Sequence, residues 1–233
     1  MKRMLIWLAI IAGLAVAYFI AYPFTLLSYR LTFEVETPEG LKTGSGVIRH
    51  AFHQEPWLMQ PSCNAEGVSR GEAVTVDLGP RGTFYALLIG RTNANEPDQG
   101  LSPAGMLYTL APQIREMERC DNARIFTLMF LDAKADVPSR LIPFLVRFRD
   151  EKDPSTVEAV DPENLAASFG EGVTLKRVVI ETTSDPVTTG IERRLPWLLT
   201  LATGSINGLR QFNPNYPAPI NYLTADSFRR GTP

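Results

Sequence analysis

Residues 4–27 read MLIWLAIIAGLAVAYFIAYPFTLL, twenty-four positions without a charge, bounded by Lys2-Arg3 before and Arg30 after. A helix rising about 1.5 Å per residue crosses the roughly 30 Å hydrocarbon layer in about 20 residues, so this run is long enough to span a bilayer. Trp7 stands near one end, with Tyr22 and Tyr29 near the other, the placement of an aromatic belt. Pro23 has no amide to donate and ends or kinks the helix there. No second run of that length follows. The chain reads as a globular domain tethered by one N-terminal helix, with the lipid bilayer as its partner through residues 4–27.

A rival reading of the same residues is a cleaved signal peptide. Lys2 and Arg3 would be its charged region, Leu5 to Leu14 its apolar core and Ala15-Val16-Ala17 its cleavage site. Cleavage there would leave Tyr18-Phe19-Ile20 as an apolar N-terminus in water, which favours retention. Lys2, Arg3 and the amino terminus lie on one side of the run; Glu34, Glu36 and Glu39 lie on the other, against Arg30. Positive charge stays inside, so the N-terminus is expected in the cytoplasm and the domain outside. In a Gram-negative envelope that is a single-pass inner-membrane protein with a periplasmic domain; elsewhere the domain is extracellular. Cys63 and Cys120, 57 positions apart, suit such a compartment. A bridge between them would contribute on the order of 3 to 4 kcal/mol. Two unrelated buried thiols are the alternative.

Working outward from the run, Tyr29 to Glu36 (YRLTFEVE) alternates, with Leu31, Phe33 and Val35 on one face, the period of a half-buried strand. Pro38-Glu39-Gly40 turns the chain and Leu41 to His50 returns it. The first strand begins almost directly after the apolar run, so the domain is expected close to the membrane. A second hairpin is legible in Glu72 to Leu78, a turn at Gly79-Pro80-Arg81-Gly82, and Thr83 to Ile89. Ser102-Pro103 opens a short helix to about Leu110. Ala123 to Leu131 (ARIFTLMFL) is apolar and β-prone, and reads as a buried strand. Ile142 to Arg149 is a further strand. Asp161 caps a short helix that Gly170 ends, and Val173 to Thr183 is the longest strand, with imperfect alternation.

Eighteen prolines and seventeen glycines imply many turns, and strands and helices interleave without a βαβ rhythm. The expected fold class is therefore α+β, strand-rich and built on antiparallel hairpins with a few short helices. Residues 1–28 form the anchor, 29–212 the domain and 213–233 an arm rich in proline and asparagine with a mobile end at Phe228-Arg229-Arg230. A formal net charge of −2 without a basic block excludes nucleic acid as a partner. Arg193, Arg194, Trp197 and Leu198, in a run too short to span a membrane, are either core or a patch that meets a bilayer or a membrane-protein partner. Tyr216, in the arm, joins that patch.

Chemistry is sparse. The two histidines, His50 and His53, are three apart, which on a strand places them on opposite faces, and no convincing metal-ligand set forms around them. No phosphate cradle, nucleophile elbow or cofactor fingerprint is present. Ser45 in Thr43-Gly44-Ser45-Gly46 is a candidate nucleophile, and Lys176 in Leu175-Lys176-Arg177-Val178 a candidate base. With Gly71-Glu72 between them, these residues resemble the layout of the type I signal peptidases. That resemblance implies a membrane-anchored serine–lysine hydrolase, although Gly46, Val47 and Ile48 stand where the family has methionine and proline. The principal expectation is non-catalytic: binding, scaffolding or assembly at a membrane surface, without a cofactor.

Overall fold

The apolar run folds as one helix, α1 (Lys2–Ala21), long and apolar enough to cross a membrane. The computed structural model describes residues 2–53, 69–92, 94–98, 104–117, 121–201, 206, 221 and 223–231. Every described side chain from Arg3 to Ala21 is exposed, so α1 takes no packing from the rest of the chain. Tyr22 donates its amide to the Tyr18 carbonyl at 2.8 Å, and Pro23 then forbids continuation. Strand β1 (Phe24–Thr37) starts at the next residue. Phe24 to Leu27, which hydropathy alone assigns to the span, alternate instead, with Thr25 and Leu27 buried and Phe24 and Leu26 exposed. The uncharged run is thus helix first and strand afterwards.

β1 pairs along its whole length with β2 (Gly40–His53), and Gly40, at φ +109, takes the left-handed turn position that a side chain would resist. Around this hairpin lie β3 (Ser69–Glu72), β8 (Lys134–Asp136), β11 (Thr174–Thr182) and β12 (Arg229–Arg230). They form a six-stranded antiparallel sheet ordered β12-β3-β2-β1-β11-β8. Past β3 the chain bends at Ala73 into a second sheet made of β4 (Val74–Asp77), β5 (Thr83–Ala86), β9 (Leu145–Phe148) and β10 (Val157–Val160), ordered β10-β9-β5-β4. A two-residue ladder joins β6 (Gly90–Arg91) to β7 (Pro97–Asp98).

The small sheet is the middle layer. Its one face packs on Leu31, Phe33 and Val35 of β1, with Phe33 and Phe84 edge to face at 5.8 Å. Its other face, carrying Tyr85, Leu87, Val146 and Phe148, is covered by Ile191, Leu195, Trp197, Leu198 and Phe228. Burial on both sides explains why the stretch TFYALLI (83–89) is nearly all apolar instead of alternating. Gly44 sits where β4 crosses β2. A Cβ there would lie 2.8 Å from the Val76 Cα and closer still to the Thr75 carbonyl oxygen, so the glycine sets the approach of the two layers.

Three readings of the sequence need correction. Ala123 to Leu131 is not a strand: Ala123–Met129 is a helix, α3, following α2 (Ala104–Leu110). The Asp121 carboxylate accepts the Ala123 amide at 2.8 Å and so starts a helical turn that β-propensity does not foresee. The short helix α4 (Leu165–Phe169) is capped by Asn164, whose Oδ1 accepts from Ala167 at 3.3 Å, while Asp161 supports the turn before it. Phe228-Arg229-Arg230 is an ordered edge: α5 (Ala225–Phe228) buries Phe228 completely, and β12 pairs with β3. The imperfect alternation of β11 has a simple cause. Glu34 faces Arg177 and Val35 faces Leu175, so Lys176 is the extra residue of a β-bulge, and Leu175 rejoins Val178 and Ile180 on the inner face.

Candidate functional site

The serine and lysine singled out in the sequence do not meet. Ser45 is exposed on β2 opposite Thr32, Thr32 faces Val179, and Lys176 lies farther along β11 at the bulge. The whole of β1 separates them, two strand spacings or about 10 Å before any offset along the strands. The Lys176 amine is half-exposed and 3.3 Å from the Glu36 carboxylate, a surface ion pair. The groove that Lys176 lines, about 510 Å³ between β11 and the Glu163–Ala166 segment, does not include Ser45. Gly44 and Gly46, which suggested a turn exposing a nucleophile, instead clear space on the inner face for Val74 and Val76.

The closest approach to a nucleophile–base pair is elsewhere. His50 Nδ1 lies 2.6 Å from Ser69 Oγ, and both residues are buried. Burial pushes the imidazole down to about 4, with the Arg230 charge adding to the effect, so His50 is neutral at pH 7. Its Nε2 and the nearby Tyr29 hydroxyl find no hydrogen-bond partner among the described residues, and burial pushes the Tyr29 phenol up. A base set far below neutrality and closed from solvent suits an internal polar contact better than catalysis. No cluster of three or more metal-ligating side chains occurs among the described residues.

The apolar side chains of the Arg193–Leu198 segment, Leu195, Trp197 and Leu198, are core. Trp197 is only 9% exposed; its indole donates to the Glu151 carbonyl at 2.9 Å, and its ring lies 5.5 Å from both Phe148 and Phe228. Leu198 is fully buried. Arg194 pairs with Asp77 at 3.2 Å and Thr83 at 2.9 Å, and Arg193 lies exposed beside Gly190. The apolar side chains expected to meet a partner are consumed by packing. Tyr216, Cys63, Cys120 and the arm at 213–220 lie outside the described residues.

What remains open is the foot of α1. Asn122, at the start of α3, donates its carboxamide to the Ile20 and Ala21 carbonyls at 3.1 and 3.0 Å, satisfying acceptors that a helix C-terminus leaves unpaired. α3 packs on β1 through Ile125 and Leu128, and Arg124 ties it to the Tyr108 hydroxyl of α2. Beside that buried face Phe126 and Met129 are exposed, and Phe130, just past the last turn, is 80% exposed. Phe24 and Leu26 are exposed at the start of β1. Outside α1, seven large apolar side chains are exposed among the described residues, and these are five of them. Beside them opens a groove of about 750 Å³ lined by Leu26, Ser28, Arg49, Leu131, Asp132 and Thr182, with Arg49 Nε donating to Ser28 Oγ at 2.9 Å.

Comparison with protein-family models, with curated proteins and with solved structures finds no match to this chain. Its site must therefore be read from chemistry alone. The foot of α1 offers apolar contact area, one guanidinium, one carboxylate and several hydroxyls, a surface able to bind but lacking an assembled proton-transfer pair. Sequence reading missed Phe126, Met129 and Phe130. Their i, i+3, i+4 spacing, directly behind the turn-forming pair Asp121-Asn122, was the available signal.

Proposed function

We propose that this chain is a non-catalytic binding or scaffold module, tethered to a bilayer by α1 and held against the membrane surface. The supporting observation is the junction: only Tyr22 and Pro23 separate α1 from β1, and Asn122 of the domain grips the last carbonyls of the helix. A flexible stalk would let the domain roam. A two-residue link with a side-chain clamp sets its position relative to the helix. The charge asymmetry across the apolar run supports export of the domain, with the N-terminus left in the cytoplasm.

Two measurements on the full chain test this reading. Membranes washed in alkaline carbonate should retain the protein, and protease added outside intact spheroplasts should digest the domain; release by carbonate, or protection from the protease, overturns the tether or the export respectively. Native-size analysis of detergent extracts should then find the chain in an assembly larger than itself. A free monomer would count against scaffolding.

A further inference from the structure

Helix α3 presents a contradiction that only its surroundings resolve. Ile125 and Leu128 face the core, Arg124 and Thr127 form a half-buried polar side, and Phe126, Met129 and, at the C-cap, Phe130 stand exposed. A surface helix ordinarily turns polar residues to water, yet α3 leaves these three large apolar side chains uncovered. The core already has what it needs from Ile125 and Leu128. The uncovered side lies beside the end of α1, to which Asn122 fastens it, and Phe24 and Leu26 are exposed where β1 leaves α1.

The geometry points to α3 as a second, shallow membrane contact: Phe126, Met129 and Phe130, with Phe24 and Leu26, seat in the lipid interface around the foot of α1. This rests on the reading of α1 as a bilayer span. The occupant is the lipid surface because the patch is continuous with the helix that enters it, and because large apolar exposure elsewhere on the described domain reduces to Leu41 and Leu199. Aromatic and thioether side chains suit the interfacial layer, where an amphipathic surface buries about 5–10 Å deep. The groove with Ser28, Arg49 and Thr182 adjoins the patch, at the level where polar headgroups would lie. A single span leaves helix and clamped domain free to rotate and tilt together in the bilayer. A second seat removes that freedom and fixes which surface the domain turns toward its partner.

The test uses the full chain, one copy per lipid nanodisc, with a phospholipid carrying a carbene-generating diazirine near the glycerol end of its acyl chain. After illumination and tryptic digestion, peptides from α1 and the peptide Ile125–Lys134 should carry label several-fold above the peptide beginning at Leu195, which contains exposed Leu199. The F126S/F130S variant should lose the label on Ile125–Lys134 and keep it on α1. Label on α1 with none on Ile125–Lys134 overturns the second seat and leaves the tether standing. Label on neither overturns the tether itself. If Ile125–Lys134 is unlabelled in single-copy discs but becomes protected from aqueous footprinting when two copies share a disc, the occupant is a second chain and the lipid seat is wrong.

Discussion

Residues 123–131 (ARIFTLMFL) and 195–201 (LPWLLTL) are equally greasy on paper, and the fold sends them to opposite destinies. The first reads as a buried strand and is a helix with exposed apolar side chains; the second reads as core or as a surface patch, and buries Leu195, Trp197 and Leu198. Hydrophobicity does not distinguish them. Polar fittings do. Trp197 can be buried because Glu151 offers its indole a carbonyl, and Arg194 is held near it by Asp77 and Thr83. The segment at 123 takes helical form because Asp121 and Asn122 supply a start, and Asn122 holds it at the end of α1 instead of deep in the sheets.

The largest break in this contrast comes from Trp197→Ala. Loss of a nearly buried indole with two aromatic neighbours should cost about 3–5 kcal/mol in chemical unfolding of the detergent-solubilised chain. A cost near zero would mean that the segment is no core at all. Next is pH. The core region holds His50, whereas the bare side of α3 has no titratable side chain. With a folded value of about 4 against 6.5 in the unfolded chain, stability from this group is complete above pH 6.5. As pH falls from 6.5 to 4 the unfolded chain binds a proton that the fold refuses, and below 4 nothing further is lost. The difference between wild type and His50→Gln across that window should amount to a few kcal/mol, with the wild type losing more. A parallel pair of curves would show that His50 is accessible.

A smaller effect is expected from Asn122→Ala, which strips two helix carbonyls of their donor: about 1 kcal/mol, with faster hydrogen exchange at the Tyr22 amide. Unchanged exchange would mean that the clamp is incidental. The smallest change comes from Phe130→Ser. Its 80% exposure predicts a shift within about 0.5 kcal/mol in detergent. A large loss there would mean that Phe130 packs internally, and that the two apolar runs are not opposites.

Both hairpins were legible because a two-residue period and glycine turns are local signals: Leu31, Phe33 and Val35 announce β1, and Gly40 and Gly82 take the turn conformations. The α+β class followed from them. Other strands were not legible: β3, β8, β10 and β12 hold two to four residues each and owe their conformation to the strand alongside. The bulge at Lys176 shifts the period of β11 by one and disguises a regular strand. The candidate surface was hidden for a different reason. Phe126, Met129 and Phe130 are ordinary core residues by type, and only the location of α3 beside the end of α1 makes their exposure meaningful. Gly44 and Ser45 misled in the other direction, since a glycine demanded by a strand crossing looks the same in sequence as one shaping a reactive loop.

The pairing of Arg229–Arg230 with Gly71–Glu72 has a consequence for biogenesis. Phe228 closes the aromatic layer with Trp197 and Phe148, so β3 and the small sheet wait for residues 228–230 before they are sealed. Folding of this kind has high contact order and cannot be completed vectorially. A ribosome stalled before residue 228 would hold a domain with an open edge and an unfilled aromatic socket, a ready target for quality-control proteases.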